Sequence, residues 1–305
     1  MPDSTLFSEF FINLEEEALS SETRRAYSYD LQKFSSWYEE SKGTSLKMGK
    51  LTAIDLLNYR QYLLNVKALK PATINRSLEA LRKLCSWALR EKKLKKDISS
   101  SLKPVRFARN CQPVGLTEPE VHSLLRVAGE SQYNLAPRNY ALVQIMLQAG
   151  LRVGEVAALK INDVIVRERV GSVLVRQGKG LKEREIPLNA TARRALRNYL
   201  DTRGQGQKQD EPLFLTERKK AMPKRTIQSV ISQLGKKAKI TRVKFSAHTL
   251  RHTFALNYLK QNPGKLVELA SLLGHESLDT TAVYLRPSRE DLASDLERSR
   301  LNIYG

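Results

Sequence analysis

The sequence predicts a mainly α-helical protein with one small β-sheet, split into a helical domain and a following α+β domain. Three observations support this. Apolar residues recur at three- and four-residue spacing through most of the first hundred positions. Residues 171–188, GSVLVRQGKGLKEREIPL, read as two strands around a Gly-Lys-Gly turn. Between these regions, residues 90–115 are rich in Lys, Arg and Ser, contain two prolines and lack sustained periodicity. That composition marks an interdomain linker. The expected division is residues 1–100, a basic linker over 101–115, and residues 116–305. A chain of 305 residues suits two domains better than one.

Each element has its own signal. Leu6, Phe7, Phe10, Phe11 and Leu14 repeat at helical spacing, as do Tyr27, Leu31, Phe34 and Tyr38. Thr52-Ala-Ile-Asp55 is a capping-box pattern ahead of Leu56, Leu57, Leu63 and Leu64. After Pro71, a long helix is marked by Ile74, Leu78, Leu81, Leu84, Cys85 and Ala88. Four helices joined by short turns make a small bundle. The second domain opens at LTEPEVHSLL, where Thr117 is placed to cap, Pro119 sits in the first turn and Glu120 closes a capping box. A helix over about 138–149 ends at Gly150. The two strands follow, and from about residue 190 the pattern is helical again, with a Gln/Gly-rich loop near 203–210.

Charge narrows the function. Lys and Arg number 52 against 32 Asp and Glu, a formal net charge of +20. An excess of that size points to a polyanion, most often nucleic acid. The basic linker residues Lys92, Lys93, Lys95, Lys96, Lys103, Arg106 and Arg109 are expected to lie along a phosphate backbone. Residues 1–17 carry five acids and no Lys or Arg, unlike a secretory signal. The most apolar stretch, ALVQIMLQAGL, is broken by Gln144, Gln148 and Gly150 and is too short to span a bilayer. Cys85 and Cys111 lack metal-type spacing and read as reduced thiols of a cytoplasmic protein.

His248 and His252 in HTLRHTFALNYL stand four apart, the spacing of a metal site on a helix. The zincin pattern needs a Glu between them, whereas Thr249, Leu250 and Arg251 stand there. A fixed cation beside a ligand opposes metal binding, and no acidic third ligand is near in sequence. An anion suits these residues better. With Ser246 as the N-cap, His248 and Arg251 fall in the first helical turn, three apart on one face. Arg152 follows the Gly150 helix end, with small neighbours Gly150 and Gly154. His275 follows Gly274, a helix C-cap, and Ser277 caps a short helix carrying Tyr284.

These motifs, AGLRVGE, QGKGLKEREIPL, HTLRHTFA, LLGH and a Tyr nine residues after that His, closely resemble the tyrosine recombinase (integrase) family. Their order and spacing cover nearly all of residues 116–290, and the helical N-terminal region resembles the family's core-binding domain. The resemblance implies that Arg152 is the first catalytic arginine, Lys179 the hairpin lysine, His248 and Arg251 the His-x-x-Arg pair, His275 the later histidine and Tyr284 the nucleophile. Glu155 matches an acidic position that supports the active-site arginine. His252 is common in the motif but outside the catalytic set, and reads as structural.

The implied reaction is DNA strand exchange through a 3′-phosphotyrosine. A tyrosine hydroxyl titrates near 10, so it is a poor nucleophile unless its proton is removed or its anion stabilised. Arg152 and Arg251 offer fork geometry to phosphate oxygens and stabilise charge growing in the transition state. Lys179, amid cations, suits a general acid for the leaving 5′ oxygen, with Lys182 as the fallback. His248 is expected to take or share the tyrosine proton and His275 to hydrogen-bond the phosphate, although the two roles are interchangeable at this stage. Tyr258 and Tyr304 are the minor candidates for nucleophile. No metal, nucleotide or other cofactor is implied, since GKG at 178–180 is too short for a phosphate loop.

The helical domain begins almost at residue 6, so the expected architecture is the minimal two-domain type. The expected partners are double-stranded DNA with an inverted-repeat core site, and further copies of the chain forming a tetramer on two sites, with no membrane. Leu292, Ala293, Leu296 and Ile303 would line one face of a tail helix, which family members commonly dock on a neighbour. Chromosomal Xer proteins usually have Thr-His after the nucleophile, whereas this chain has Leu285-Arg286-Pro287. That departure favours a mobile-element recombinase, acting in transposon resolution or integration. Xer-type resolution of chromosome or plasmid dimers, a type IB topoisomerase and an inactive accessory protein are the alternatives.

Overall fold

In the computed structural model, the described residues are 4–17, 19, 21–106, 113–130, 135–176, 183–204, 208–275, 277–286, 293 and 296–298. The chain forms two compact units, Met1–Asn110 and Cys111–Gly305.

The first unit holds helices α1 (Ser4–Glu16), α2 (Ser21–Lys42), α3 (Ala53–Gln61) and α4 (Pro71–Arg90). Thr52 starts α3 as expected, because its Oγ1 accepts from Asp55 N–H at 3.2 Å and Asp55 Oδ2 accepts from Thr52 N–H at 3.0 Å. The helix then runs into one wide π turn over Tyr62–Val66. Pro71 opens α4, where a missing N–H costs nothing. The apolar stripes meet in one core that includes Phe10, Leu31, Phe34, Leu56, Tyr59, Leu78 and Leu84. Across it Phe34 and Tyr59 pack edge to face at 4.9 Å. Arg76 on α4 grips Asp30 on α2 with two bonds of 2.8 and 2.9 Å.

The segment after α4 does not behave as a free linker. Leu94, Ile98 and Leu102 are buried in the first unit's core, and Val105 packs against it. Val105 N–H donates to Asn75 Oδ1 at 2.7 Å, and Asn75 Nδ2 donates back to Val105 O at 3.0 Å. The expected linker over 101–115 therefore belongs, through residue 106, to the helical unit. Its apolar residues are spaced four, four and three apart, but they stand singly among Lys, Ser and Pro, a composition that reads as a linker, and the backbone carrying them follows turns.

The second unit is built around α6 (Ala136–Ala149), most of whose side chains are buried. Helices α5 (Glu118–Gly129), α8 (Ala190–Thr202) and α10 (Ala247–Gln261) pack on it. A helix with partners on several sides needs apolar residues all round, as ALVQIML supplies. Thr117 N–H donates to Glu120 Oε2 at 2.8 Å where α5 begins. The sheet has three antiparallel strands in order β1 (Val164–Val166), β2 (Gly171–Val175), β3 (Arg184–Pro187), with Val173 opposite both Val164 and Ile186. The outer strand β1 was not anticipated, since three residues are too few to show alternation. Helices α7 (Val153–Ala158), α9 (Lys224–Lys237), α11 (Leu266–Leu273) and α12 (Asp279–Ala282) complete the unit, with a 3₁₀ turn over Val283–Leu285. No helix among the described residues is long and apolar enough to cross a membrane.

Candidate active site

Two left-handed glycines aim the site. Gly150 ends α6 at φ +61°, and Gly274 ends α11 at φ +64°. The first turns the chain so that Arg152 starts α7, and the second delivers His275.

Glu155 ties three elements together. Its Oε2 accepts from the Arg152 N–H at 2.8 Å, and its Oε1 accepts from Arg152 Nη1 at 2.9 Å. Arg184, on β3, donates Nη2 to the same Oε2 at 2.9 Å and Nε to the Leu272 carbonyl at 2.9 Å. Arg152 Nη2 reaches the Gly274 carbonyl at 3.1 Å. Burial works to raise the Glu155 carboxyl. The hydrogen bonds from Arg184 and from the Arg152 backbone outweigh it and hold the group below the usual carboxylate range.

Arg251 is buried at 4% exposure. It donates to the Gly150 and Leu273 carbonyls, each at 2.7 Å, and stands 4.0 Å from Glu155. Burial, then the nearby Arg152, pulls its pKa down to about 10, so it stays charged at neutral pH. Its Nη2 also lies 2.9 Å from His275 Nε2. His275 Nδ1 lies 2.8 Å from Thr281 Oγ1. Burial and the three arginines push His275 down to about 4.

Tyr284 sits on the 3₁₀ turn after α12, rather than on a helix capped by Ser277, and is buried. Its hydroxyl lies 2.9 Å from Nδ1 of His252. Burial raises the phenol pKa, partly offset by Arg251 and Arg152. His252, read from the sequence as structural, is thus in direct contact with the Tyr284 hydroxyl. Helix α10 begins at Ala247, so Arg251 falls in the second turn rather than the first. The His248 side chain is exposed and makes no hydrogen bond to another side chain among the described residues. It lines an open cavity with Lys244, Ser246 and His252, and does not share the buried surroundings of Arg251. The imidazole found on the Tyr284 hydroxyl is thus His252, not His248.

The structure brings together Arg152, Glu155, Arg251, His275 and Tyr284 from the expected set. It adds two residues that sequence reasoning passed over, Arg184 and His252. Arg184 stood inside the quoted KEREIPL strand, and its position beside a strand start gave no sign that it faces Glu155. Lys179 and Lys182 lie outside the described residues, as do Arg109, Tyr304, Leu292 and Ile303. Leu296 is exposed. Of the linker cations, Lys92, Lys95, Lys96, Lys103 and Arg106 are exposed. Lys93 is engaged, bonding to Glu9 and lying over the Trp87 ring.

Three guanidinium groups thus face a single carboxylate, beside a buried tyrosine hydroxyl. The surplus positive charge suits a phosphate, and a tyrosine hydroxyl is an oxygen of the kind that can act as a nucleophile. Fold and site together define a tyrosine recombinase. The chain belongs to the phage integrase family: residues 115–291 match the phage integrase family model, and residues 7–92 match the phage integrase N-terminal SAM-like domain. It is 31% identical over 284 residues to tyrosine recombinase XerD of Ralstonia nicotianae, covering 91% of this chain and 87% of that protein. It is 24% identical over 292 residues to the TnP I resolvase of Bacillus thuringiensis, covering 95% and 98%. The crystal structure of XerH site-specific recombinase bound to palindromic difH substrate, a post-cleavage complex, has the same fold. Its TM-score is 0.76 at 24% identity over 90% of this chain and 79% of that one. The protein is therefore a site-specific tyrosine recombinase.

Proposed function

We propose that the protein breaks and rejoins DNA strands with Tyr284 as the nucleophile. The observation that carries this is the buried Tyr284 hydroxyl lying in the field of Arg152 and Arg251. The phenol oxygen bonds to the scissile phosphorus, giving a 3′-phosphotyrosine. The P–O5′ bond breaks, and Lys179 protonates the departing oxygen. Arg152 and Arg251 neutralise the charge that grows on the non-bridging oxygens. Loss of one such donor costs about 3 kcal/mol, or two orders of magnitude in rate. Glu155 orients Arg152, His275 supports Arg251 by accepting from its guanidinium, and His248 contributes to phosphate binding. The phosphotyrosine conserves the energy of the broken ester, so attack by a DNA 5′-hydroxyl reseals the strand without a nucleotide cofactor.

Exchange between two duplexes cuts four strands, and each protomer brings one Tyr284. The proposed assembly is therefore a tetramer on two inverted-repeat core sites, passing through a Holliday junction. The test begins with finding the site. Protein is incubated with fragmented genomic DNA, covalent adducts are recovered, and the attached ends are sequenced. A nicked duplex carrying the recovered site then reports single-turnover cleavage. An adduct in the parent and none in Tyr284→Phe is expected, whereas an adduct that persists in Tyr284→Phe overturns the assignment.

For the biological role we favour a mobile element, because Leu285-Arg286-Pro287 follows the tyrosine. The resolvase likeness over almost the whole of both chains supports this. The 31% identity to XerD favours a second reading, resolution of chromosome or plasmid dimers. Recovered sites that bound a mobile element support the first, and a single chromosomal site supports the second.

A further inference from the structure

Arg251 and His252 are neighbours on α10, and a helix turns about 100° per residue. Adjacent side chains therefore face different ways. Arg251 enters the cluster with Gly150, Leu273 and His275. His252 faces Tyr284, with Nδ1 2.9 Å from Oη and ring centroids 5.7 Å apart. One helical turn thus presents a cation to the phosphate site and an imidazole to the nucleophilic oxygen. His252 also lines an open cavity of about 390 Å³ with Lys244, Ser246 and His248, which gives a proton a way to solvent.

We propose that His252 is a catalytic residue of strand cleavage and rejoining. It takes the Oη proton of Tyr284 on Nδ1 as the Tyr–O–P bond forms. It returns that proton to the phenolate when a DNA 5′-hydroxyl displaces it, while the general acid that protonated the 5′ oxygen during cleavage takes the hydroxyl proton back. Atoms balance within the cycle: one proton moves from oxygen to nitrogen during cleavage and moves back during resealing. Burial, then His248 and Arg251, lowers the pKa of His252, so the ring is neutral and able to accept at neutral pH. The same neighbours keep the resulting cation short-lived, which favours the return step. This inference rests on Tyr284 being the nucleophile.

The test uses the full-length protein and the nicked duplex carrying the recovered site. His252→Ala should bind the duplex within about twofold of the parent and form adduct at least a hundredfold more slowly, the usual scale of acid–base catalysis. His252→Asn keeps a hydrogen-bonding group of similar reach without a useful basicity, and should remain at least tenfold slow. A fluorinated, more acidic tyrosine placed at 284 should restore at least tenfold of the His252→Ala loss, because a weaker base then suffices. A purely structural histidine would not respond to phenol acidity. Cleavage by His252→Ala or His252→Asn within about threefold of the parent overturns the proposal. So does a fluorotyrosine that restores nothing. Adduct surviving in Tyr284→Phe overturns the nucleophile assignment instead, and the two failures are distinct.

Discussion

Arg251 Nη2 lies 2.9 Å from His275 Nε2, and the other nitrogen of that ring lies 2.8 Å from Thr281 Oγ1. A guanidinium only donates, so Nε2 must accept, and the His275 proton resides on Nδ1, donated to Thr281. This fixes the ring as neutral and in one tautomer. Nitrogen NMR should report the Nδ1–H form at neutral pH, with no titration until about pH 4. The unfolded histidine binds a proton near 6.5, while the folded one resists until about 4. The contribution to stability is therefore full above 6.5 and falls as pH drops through that window. Thermal melts should show the parent losing stability between about pH 6.5 and 4, with a shallower fall in His275→Gln, which lacks the titrating ring.

Thr281 is fully buried and is the acceptor that holds His275. Thr281→Val keeps the shape and deletes the hydroxyl, which leaves a buried N–H without its partner. A loss of about 1–3 kcal/mol in urea unfolding is expected, with Thr281→Ser largely retaining stability.

Glu155 is the counter-charge to Arg152 and Arg184. Glu155→Gln leaves those cations opposed by no carboxylate, and breaking such a buried pair costs about 3–5 kcal/mol. Arg152 keeps 38% side-chain exposure, so solvent recovers part of that, and the lower figure is expected. Since Glu155 also carries a depressed carboxyl pKa, its stabilisation is present above the unfolded carboxylate range and is lost as pH falls through the lower folded value. The acid limb of the parent's melting profile should flatten in Glu155→Gln.

Arg184 acts through Glu155 and the Leu272 carbonyl, and so is a positioning residue. Lysine cannot bridge both acceptors with a fixed fork. Arg184→Lys should slow single-turnover cleavage by about tenfold to a hundredfold, as small misplacements do, while DNA affinity changes little. Gly274→Ala should give a similar defect by another route. Its added Cβ would come 2.6 Å from Arg184 Nη1, and the left-handed φ of +64° adds about 1–2 kcal/mol of strain.

Leu102 tests the packing of the segment after α4. At 1% exposure it is a core residue of the helical unit. Leu102→Ala should destabilise that unit by about 2–5 kcal/mol, whereas a loop residue would tolerate the change.

The helices and the two long strands were legible because their apolar residues repeat with the period of the element that buries them. Thr52 and Thr117 showed their caps for a similar reason, since a cap is a contact between residues three apart. Gly150 and Gly274 also announced the helix ends, because a left-handed turn selects glycine. The burial of Leu94, Ile98 and Leu102 was hidden, because each stands alone among Lys, Asp and Ser, a composition that reads as solvated linker.

At the site, the sequence alone determined which residue types are present and in what order: Arg152, Glu155, His248, Arg251, His275 and Tyr284. Only the tertiary structure decided who meets whom. Arg184 reaches Glu155 from a strand 29 residues further along the chain, and His252 meets Tyr284 across 32 residues. His248 and His252 stand one turn apart on α10, yet one is exposed at the cavity and the other lies against the phenol. Spacing along a helix sets the direction of a side chain relative to its neighbours. What lies in that direction depends on the elements packed around the helix, and those come from distant parts of the chain.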